Sequence, residues 1–496
     1  MARRPWTAHE LLDLVLDAGS FESWDESIDI SGQPEAYRLQ LEAAAARAGT
    51  DESVLTGRGL VRGRPVAVVV NEFRFLAGSI GRAAAQRITA AVRRATAEGL
   101  PVLASTASGG TRMQEGTPAF VEMVEISRAL MAHRAARLPY LVQLRHPTTG
   151  GVYASWGSLG HVTVAEPGAL VGFLGPKVYE ALNGEPFPAG VQTAENLAAK
   201  GVLDAVVAAE DLPMLVDRAL GVLVDGPTLP RLDRRDGEPS RHLTAWESIE
   251  VTRRPDRPGV RELLRHGASS TLRLNGTDEG ERDATMLVAL TRLDGQPCVL
   301  VGQDRSRQSP TTPMGPGALR EARRAMRLAE ELGLPLVTVI DTPGAELSQH
   351  AEEGAIAGEI ARCIATLTTM TVPTVSVVLG QGCGGGALAL LPAREVIAAE
   401  HAWLSPLPPE GASAIVHGDV SHAAEMAELQ QVGVLDLAAR GIVSRIVPEP
   451  ADDTAVGLAL AVVAECAAAL RRQTHPEEQE RGVLAAGGRV SRSPRH

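Results

Sequence analysis

The sequence predicts an α/β protein built from two tandem copies of one strand-helix-strand unit. Three observations predict it. Apolar, β-branched runs alternate with long helical periodicities, residues 62–207 resemble residues 294–447, and each copy carries glycine turns at equivalent places. A parallel crossover needs a dozen or more residues between strands, so this alternation implies parallel pairing with helices covering the sheet faces. Internal repeats of this kind outrank any single motif.

Residues 1–55, with "HELLDLVLDAGSFESW" and an Ala-rich stretch, read as a helical lead-in. The first matched pair is "RGRPVAVVV" (62–70) with "DGQPCVLVG" (294–302), each a Gly-x-Pro turn leading into a strand. Next, "AAAQRITAAVRRATAEGLPVLAST" (83–106) matches "GALREARRAMRLAEELGLPLVTVI" (317–340). Helical periodicity ends at Gly-Leu-Pro and a strand follows. "RLPYLVQL" and "TVPTVSVVL" are strands entered through proline. They run into Gly150-Gly151 and Gly385-Gly386, with a helix expected after each pair. "VTVAEPGALVGF" (162–173) then parallels "VIAAEHAWLSPL" (396–407), and "KGVLDAVV" (200–207) parallels "RGIVSRIV" (440–447). The Pro-, Gly- and charge-rich stretch "DGPTLPRLDRRDGEPSR" (225–241) divides the copies, giving domains 56–240 and 241–475 and a polar tail 476–496.

Composition narrows the function. A chain of 496 residues, 44% hydrophobic and 22% charged, suits a multidomain globular protein. Its net charge of -12 argues against general affinity for nucleic acid or anionic membrane. No apolar run approaches the roughly 18 residues of a membrane span, and acidic residues interrupt the first apolar stretch, unlike a secretory signal. A cytoplasmic location is expected. Cys298, Cys363, Cys383 and Cys466 form no C-x-x-C pair, so they read as packed thiols and no metal is expected. "VTVIDTPGA" (337–345) resembles a GTPase switch element, but the only lysines, Lys177 in "GPKVY" and Lys200 in "AKGV", fit no phosphate loop.

"VVLGQGCGGGALAL" (377–390) holds Gly380-x-Gly382-x-x-Gly385, with Glu400 twenty residues beyond Gly380, the dinucleotide-binding spacing. The equivalent stretch of the first copy, "HPTTGGVYASW" (146–156), lacks that spacing and shares only the Gly-Gly pair. A dinucleotide fingerprint also belongs to the first strand of its domain, whereas here much of the repeat precedes it. Each copy has a second glycine turn, "STASGGTRMQEG" (105–116) and "IDTPGAELSQ" (340–349). Such turns let a ligand approach the backbone, and free N–H groups at a helix start suit an anion, either a phosphate or an oxyanion formed during reaction. Close helix-sheet packing is the alternative reading of any one pair.

Residues 72–207, especially "GLPVLASTASGGTRMQEG", "LRHPTTGGVYASWGSLG" and "AEPGALVGFLGPKVYE", resemble the carboxyltransferase β subunit of bacterial acetyl-CoA carboxylase. Residues 255–450, especially "RPDRPGVRELL", "TRLDGQPCV", "IDTPGAELSQHAEEG", "GQGCGGGALA" and "SPLPPEGASAIV", resemble the α subunit. The whole is similar to a fused carboxyltransferase of the actinobacterial type. The resemblance implies two tandem crotonase-like domains from an internal duplication. It also implies carboxyl transfer from carboxybiotin on a biotin carboxyl carrier protein, itself charged by biotin carboxylase, to acetyl-CoA, giving malonyl-CoA for fatty acid biosynthesis. Propionyl-CoA or longer acyl-CoA, decarboxylation of a carboxyl-CoA, and a non-catalytic scaffold role are the alternatives. No tightly bound cofactor is implied, since the coenzyme A thioester is a substrate.

By the same resemblance, Gly109 and Gly110 donate N–H groups to the acyl oxygen, while Gly386 and Ala387 serve the biotin oxygen. Ser108, Thr111, Gly150, Gly151, Gly344, Ala345 and Gly385 line the substrate turns. The biotin nitrogen takes the α-proton, so no protein base is required. A homodimer, or alternatively a hexamer, is implied, with each site built from complementary halves of two protomers. The sequence departs from the family in having no four-cysteine zinc ribbon and in placing Glu346-Leu347-Ser348 where Tyr-Pro-Gly is usual. Arg74, Arg82 and Arg112 are candidates for CoA phosphates. His146, His161 and His350 read as structural or solvated, Glu115 and Glu346 as early-helix carboxylates, and Cys383 as a packed thiol.

Overall fold

The computed structural model describes residues 5–234, 243–449 and 454–474. The expected boundary at 240/241 and the tail 476–496 lie outside them. Of the described residues, those up to Val224 together with Leu272–Arg282 form one compact unit; Asp225–Thr271 with those from Asp283 onward form a second. Residues 225–234 of the expected connector thus belong to the second unit, where Arg231 and Leu232 donate backbone N–H to the Asp294 carboxylate.

The first unit holds β1 (Glu22–Ser23), β2 (Val54–Val61), β3 (Arg64–Asn71), β4 (Val102–Ser108), β5 (Tyr140–Thr149), β6 (Val162–Ala165), β7 (Val171–Gly172) and β8 (Ala205–Val206). Its sheet runs β1-β2-β3-β4-β5-β6-β8, with β7 also pairing β5. The order is repeated in β9 (Ala268–Leu274), β10 (Met286–Leu293), β11 (Gln296–Gln303), β12 (Leu336–Thr342), β13 (Thr374–Cys383), β14 (Glu395–Ala399), β15 (Trp403–Ser405) and β16 (Arg445–Val447). The second sheet runs β9-β10-β11-β12-β13-β14-β16, with β15 on β13. In both, a hairpin feeds a run of parallel strands.

The hairpins turn one step before the expected Gly-x-Pro. Arg62-Gly63 (φ 48° and 81°) and Asp294-Gly295 (φ 42° and 81°) are the two-residue loops, and the prolines stand inside β3 and β11. Paired positive φ values match the right-handed strand twist, which is why Gly sits second. Helices Arg82–Glu98 and Pro316–Leu332 then each stop at a left-handed glycine, Gly99 and Gly333, before Leu-Pro leads into β4 or β12. All seven residues of β4 and of β12 are buried, as expected of strands covered on both faces.

Two expectations need correction. No α-helix follows Gly150-Gly151; the chain makes turns and a single 3₁₀ turn, Trp156–Ser158, whereas Gly385-Gly386 lies in a short helix, Gly384–Leu388. The lead-in is not wholly helical. Between helices Ala8–Val15 and Glu35–Ala48 it contributes β1 to the sheet edge.

Candidate functional site

Each sheet bulges just where its glycine turns begin. Pairing of β4 with β5 shifts register between Thr106 and Ser108, and pairing of β12 with β13 shifts between Ile340 and Thr342. A bulge kinks the strand and re-aims the residues beyond it. In the first unit the chain then enters Gly109-Gly110, and in the second Pro343-Gly344. Gly110 (φ 110°) and Gly344 (φ 139°) adopt backbone that L side chains rarely accept. The same short bond closes both turns: Gly110 N–H donates to Ser108 Oγ at 3.0 Å, and Gly344 N–H donates to Thr342 Oγ1 at 3.1 Å.

The second glycine turn of each unit packs directly against this one. A Cβ on Gly110 would lie 3.4 Å from Gly150 Cα, 3.4 Å from Gly151 N and 3.5 Å from Thr149 O. A Cβ on Gly151 would lie 3.0 Å from Thr111 Oγ1. In the second unit a Cβ on Gly386 would lie 3.4 Å from Ala345 N and 2.5 Å from Met314 Cε. The structure therefore brings Ser108, Gly109, Gly110, Thr111, Gly150 and Gly151 together. Gly344, Ala345, Gly385, Gly386 and Ala387 make the matching group on the second sheet.

The donors are not distributed as the resemblance implied. Gly109 N–H donates to Ala77 O at 3.0 Å, and Gly110 N–H is held by Ser108, so neither stands free. Gly150 N–H donates to Phe173 O at 3.0 Å. Gly151 N–H has no acceptor among the described residues, and it is partly accessible. In the second unit Gly385 and Gly386 occupy the first turn of helix Gly384–Leu388, where N–H groups lack an intrahelical acceptor, and no other described group takes them. Ala387 stands where intrahelical bonding begins. The N–H groups with no acceptor among the described residues are thus Thr111 and Gly151 on one sheet, and Ala345, Gly384, Gly385 and Gly386 on the other; of these, Gly151, Gly385 and Gly386 stand in the glycine pairs that both copies share.

The buried Asp341, at the bulge that opens the second unit's first turn, has its carboxyl pushed up to about 6 by burial and accepts the Gln381 N–H at 3.1 Å; the other side chains near the turns are largely held in structural contacts. Burial pushes the Cys383 thiol up to about 11, and this residue caps the Gly384–Leu388 helix. Burial pulls His161 down to about 3; its Nδ1 accepts the Tyr140 N–H at 3.0 Å. His146 Nδ1 accepts the Leu170 N–H at 3.1 Å, while His350 is exposed. Glu115 accepts from Tyr37 Oη at 2.6 Å and from Arg82 N–H at 2.7 Å, a structural role. Glu346 accepts from the Ser348 hydroxyl at 2.6 Å.

Arg112 is also structural. Its guanidinium is fully buried in an ion pair with buried Glu52 and also donates to the Ser79 carbonyl at 2.7 Å, which removes it from the candidates for CoA phosphates. Arg74 and Arg82 remain at the surface. Among the described residues one exposed group, His417, His422 and Glu425, has potential metal-ligand atoms within 4.8 Å of one another, remote in sequence from the glycine turns. No described helix is long and apolar enough to cross a membrane.

Comparison with known proteins accords with this arrangement. The family model for the carboxyl transferase domain matches residues 3–469. A probable biotin-dependent acyl-coenzyme A carboxylase beta3 subunit of Mycobacterium tuberculosis is 58% identical over 477 residues, covering 95% of this chain and 96% of that protein. The acetyl-coenzyme A carboxylase carboxyl transferase subunits beta/alpha of Salinispora arenicola are 36% identical over 472 residues, covering 90% of this chain and 83% of that protein. Among solved structures, the transcarboxylase 12S hexamer with methylmalonyl-coenzyme A and methylmalonic acid bound superposes with a TM-score of 0.74. It is 21% identical, covering 99% of this chain and 91% of that one. The fold is therefore that of carboxyltransferases, the crotonase-like type, and the chain belongs to the carboxyl transferase domain family, the transferases of biotin-dependent carboxylases.

Proposed function

We propose that this chain is the carboxyltransferase component of an acyl-CoA carboxylase, with two tandem domains descended from one duplicated ancestor. It would move the carboxyl group from carboxybiotin on a carrier protein to an acyl-CoA. Acetyl-CoA, giving malonyl-CoA for fatty acid biosynthesis, is the first candidate substrate. A propionyl-CoA or longer acyl-CoA is the second, and the acyl-CoA name of the 58% identical relative favours it.

One observation carries the reading: each sheet presents a pair of apposed glycine turns with a backbone N–H left without an acceptor among the described residues, at Gly151 and at Gly385 with Gly386. Carboxyl transfer passes through two oxyanions. When the N–C bond of carboxybiotin breaks, the electron pair delocalises onto the ureido oxygen. When the α-proton leaves the acyl group for the biotin nitrogen, charge collects on the thioester oxygen, and the enolate carbon then takes up the carboxyl carbon. Donors fixed before the reaction stabilise such oxygens without reorganising, and one donor is typically worth about 2.7–4 kcal/mol of barrier. Gly151 would serve the thioester oxygen and Gly385 with Gly386 the ureido oxygen. Gly109 and Gly110 shape the first turn, and Gly344 and Ala345 the second. A homodimer or hexamer, working with biotin carboxylase and its carrier protein, completes the proposal.

The test runs the transfer in reverse. Malonyl-CoA plus free biocytin should yield acetyl-CoA and carboxybiocytin, with methylmalonyl-CoA and longer analogues as competitors that rank chain preference. Carbon dioxide release without carboxybiocytin would favour a decarboxylase. Absence of turnover with every analogue would sink the enzyme reading.

A further inference from the structure

The Gly384–Leu388 helix has only five residues, three of them glycine at its start. So short a helix is not stable by itself, and glycine surrenders more backbone freedom than any other residue. Yet its first-turn N–H groups must hold one direction if they are to meet an oxyanion. Something outside the helix has to fix them.

Gln303, the last residue of β11, is fully buried and uses both ends of its amide. Its Nε2 donates to the Gly386 carbonyl at 2.7 Å, and its Oε1 accepts the Asp341 N–H at 2.9 Å. The β11–β12 ladder ends at the pair Gly302 and Val339, so the Gln303 side chain continues the tie between these strands beyond the last ladder pair. One amide thereby links β11, β12 and the glycine turn after β13. The position carries no such link on the first sheet. There Asn71, paired with Val54 as Gln303 is with Met286, donates to Ser53 O at 3.3 Å and Gly78 O at 3.4 Å.

We propose that Gln303 is a positioning residue for carboxyl transfer: by clamping the Gly386 carbonyl it holds the Gly386 N–H, on the opposite side of the same residue, in its donating direction. The proposal rests on the carboxyltransferase reading above. In a helix the N–H and C=O of one residue point oppositely along the axis, so a bond that holds the Gly386 carbonyl keeps Gly386 in the helical conformation that aims its N–H, and it fixes the Ala387 N–H directly through their shared peptide plane. The bond also polarises the peptide chain it joins, which strengthens neighbouring donors. Gln303 touches no substrate in this scheme and acts only through the backbone.

Two variants separate this role from simple packing. Gln303→Met keeps the length and bulk but loses both bonds. Gln303→Glu accepts the Asp341 N–H in either form but donates to the Gly386 carbonyl only while its carboxyl is protonated, the form that burial favours. In the reverse transfer assay Gln303→Met should lower kcat about tenfold or more, with KM for malonyl-CoA within about twofold, and Gln303→Glu should lose kcat relative to the wild type as rising pH ionises its carboxyl. Wild-type kcat in Gln303→Met would overturn the proposal, since the donation to Gly386 is missing there, together with the longer contact to Met314 Sδ at 3.5 Å. Amide hydrogen exchange supplies a readout independent of activity. Peptides spanning 384–390 should exchange faster in Gln303→Met, with the rest of the second unit unchanged. Unchanged exchange would refute the clamp even if the wild-type protein transferred no carboxyl group, an outcome that would instead refute the functional reading.

Discussion

Replacing Gly110 by alanine separates backbone strain from crowding of a donor. At φ 110° an alanine is strained, at a cost of about 1–3 kcal/mol. For a folding unit of 150–250 residues, that lowers the melting temperature by roughly 2–4 °C per kcal/mol. The new methyl would also lie 3.4 Å from the Gly151 nitrogen and 3.4 Å from Gly150 Cα. An oxyanion must come within about 2.7–3.1 Å of its donor, so a methyl at that distance competes for the same approach. Loss of one donor predicts kcat about 100- to 1,000-fold lower. Gly99 is the matched control: its φ is 68°, and an added Cβ would meet nothing within 4 Å. Gly99→Ala should lose about 1 kcal/mol of stability and keep its kcat. Both variants are followed by thermal melting and by reverse transfer from malonyl-CoA to biocytin. A Gly110→Ala enzyme with wild-type kcat, or a Gly99→Ala enzyme equally impaired, would refute the placement of the donor at Gly151.

Two further outcomes concern the buried charges. Glu52→Gln leaves the buried Arg112 guanidinium only the longer Glu115 contact at 3.5 Å and should cost up to about 3–5 kcal/mol of stability in denaturant unfolding, while KM for the acyl-CoA stays unchanged in the folded enzyme. Burial pushes the Asp341 carboxyl up to about 6 from an ordinary 3.8, so folding favours its protonated form. Its contribution is fully present below pH 3.8 and is lost as pH rises through 6. Asp341→Asn should therefore gain on the wild type between about pH 4 and pH 7, by as much as about 3 kcal/mol, read from melting temperatures across that range.

The repeat made most of the architecture legible, because strand and helix periods and the glycine stops are local properties. "EGLP" and "LGLP" end their helices at Gly99 and Gly333 as expected. What escaped depends on partners far along the chain. The resemblance made Gly109 and Gly110 of "SGGTR" donors, yet Gly109 is held by Ala77, in the 3₁₀ turn Leu76–Gly78 whose position against β4 no local pattern reveals. Arg112 sits beside the glycines like a phosphate ligand, but its charge is taken by Glu52 across the fold. Gln303 gave no signal, since its role appears only once β11, β12 and the turn after β13 are assembled. The missing helix after Gly151 is a difference of continuation. There the turn runs into Trp156–Ser158, whose Trp156 is buried and whose carbonyl accepts from Tyr140 Oη at 2.8 Å.

Residues 272–282 bear on how the protein is made. Though they come after the first residues of the second unit, they complete the first. The Asn275 amide donates to Ala198 O and Leu203 O, both at 2.8 Å, and the backbone at Gly276 approaches Gly201 so closely that a Cβ there would lie 2.3 Å from Gly201 Cα. A ribosome that has released only the first 224 residues has not yet supplied this strap. The leading unit as it stands in the structure is therefore complete only once the chain beyond residue 271 has been made. A gene cut between residues 224 and 272 would leave the leading product without its last piece, whereas a cut beyond 282 would take residues 225–271 from the trailing one.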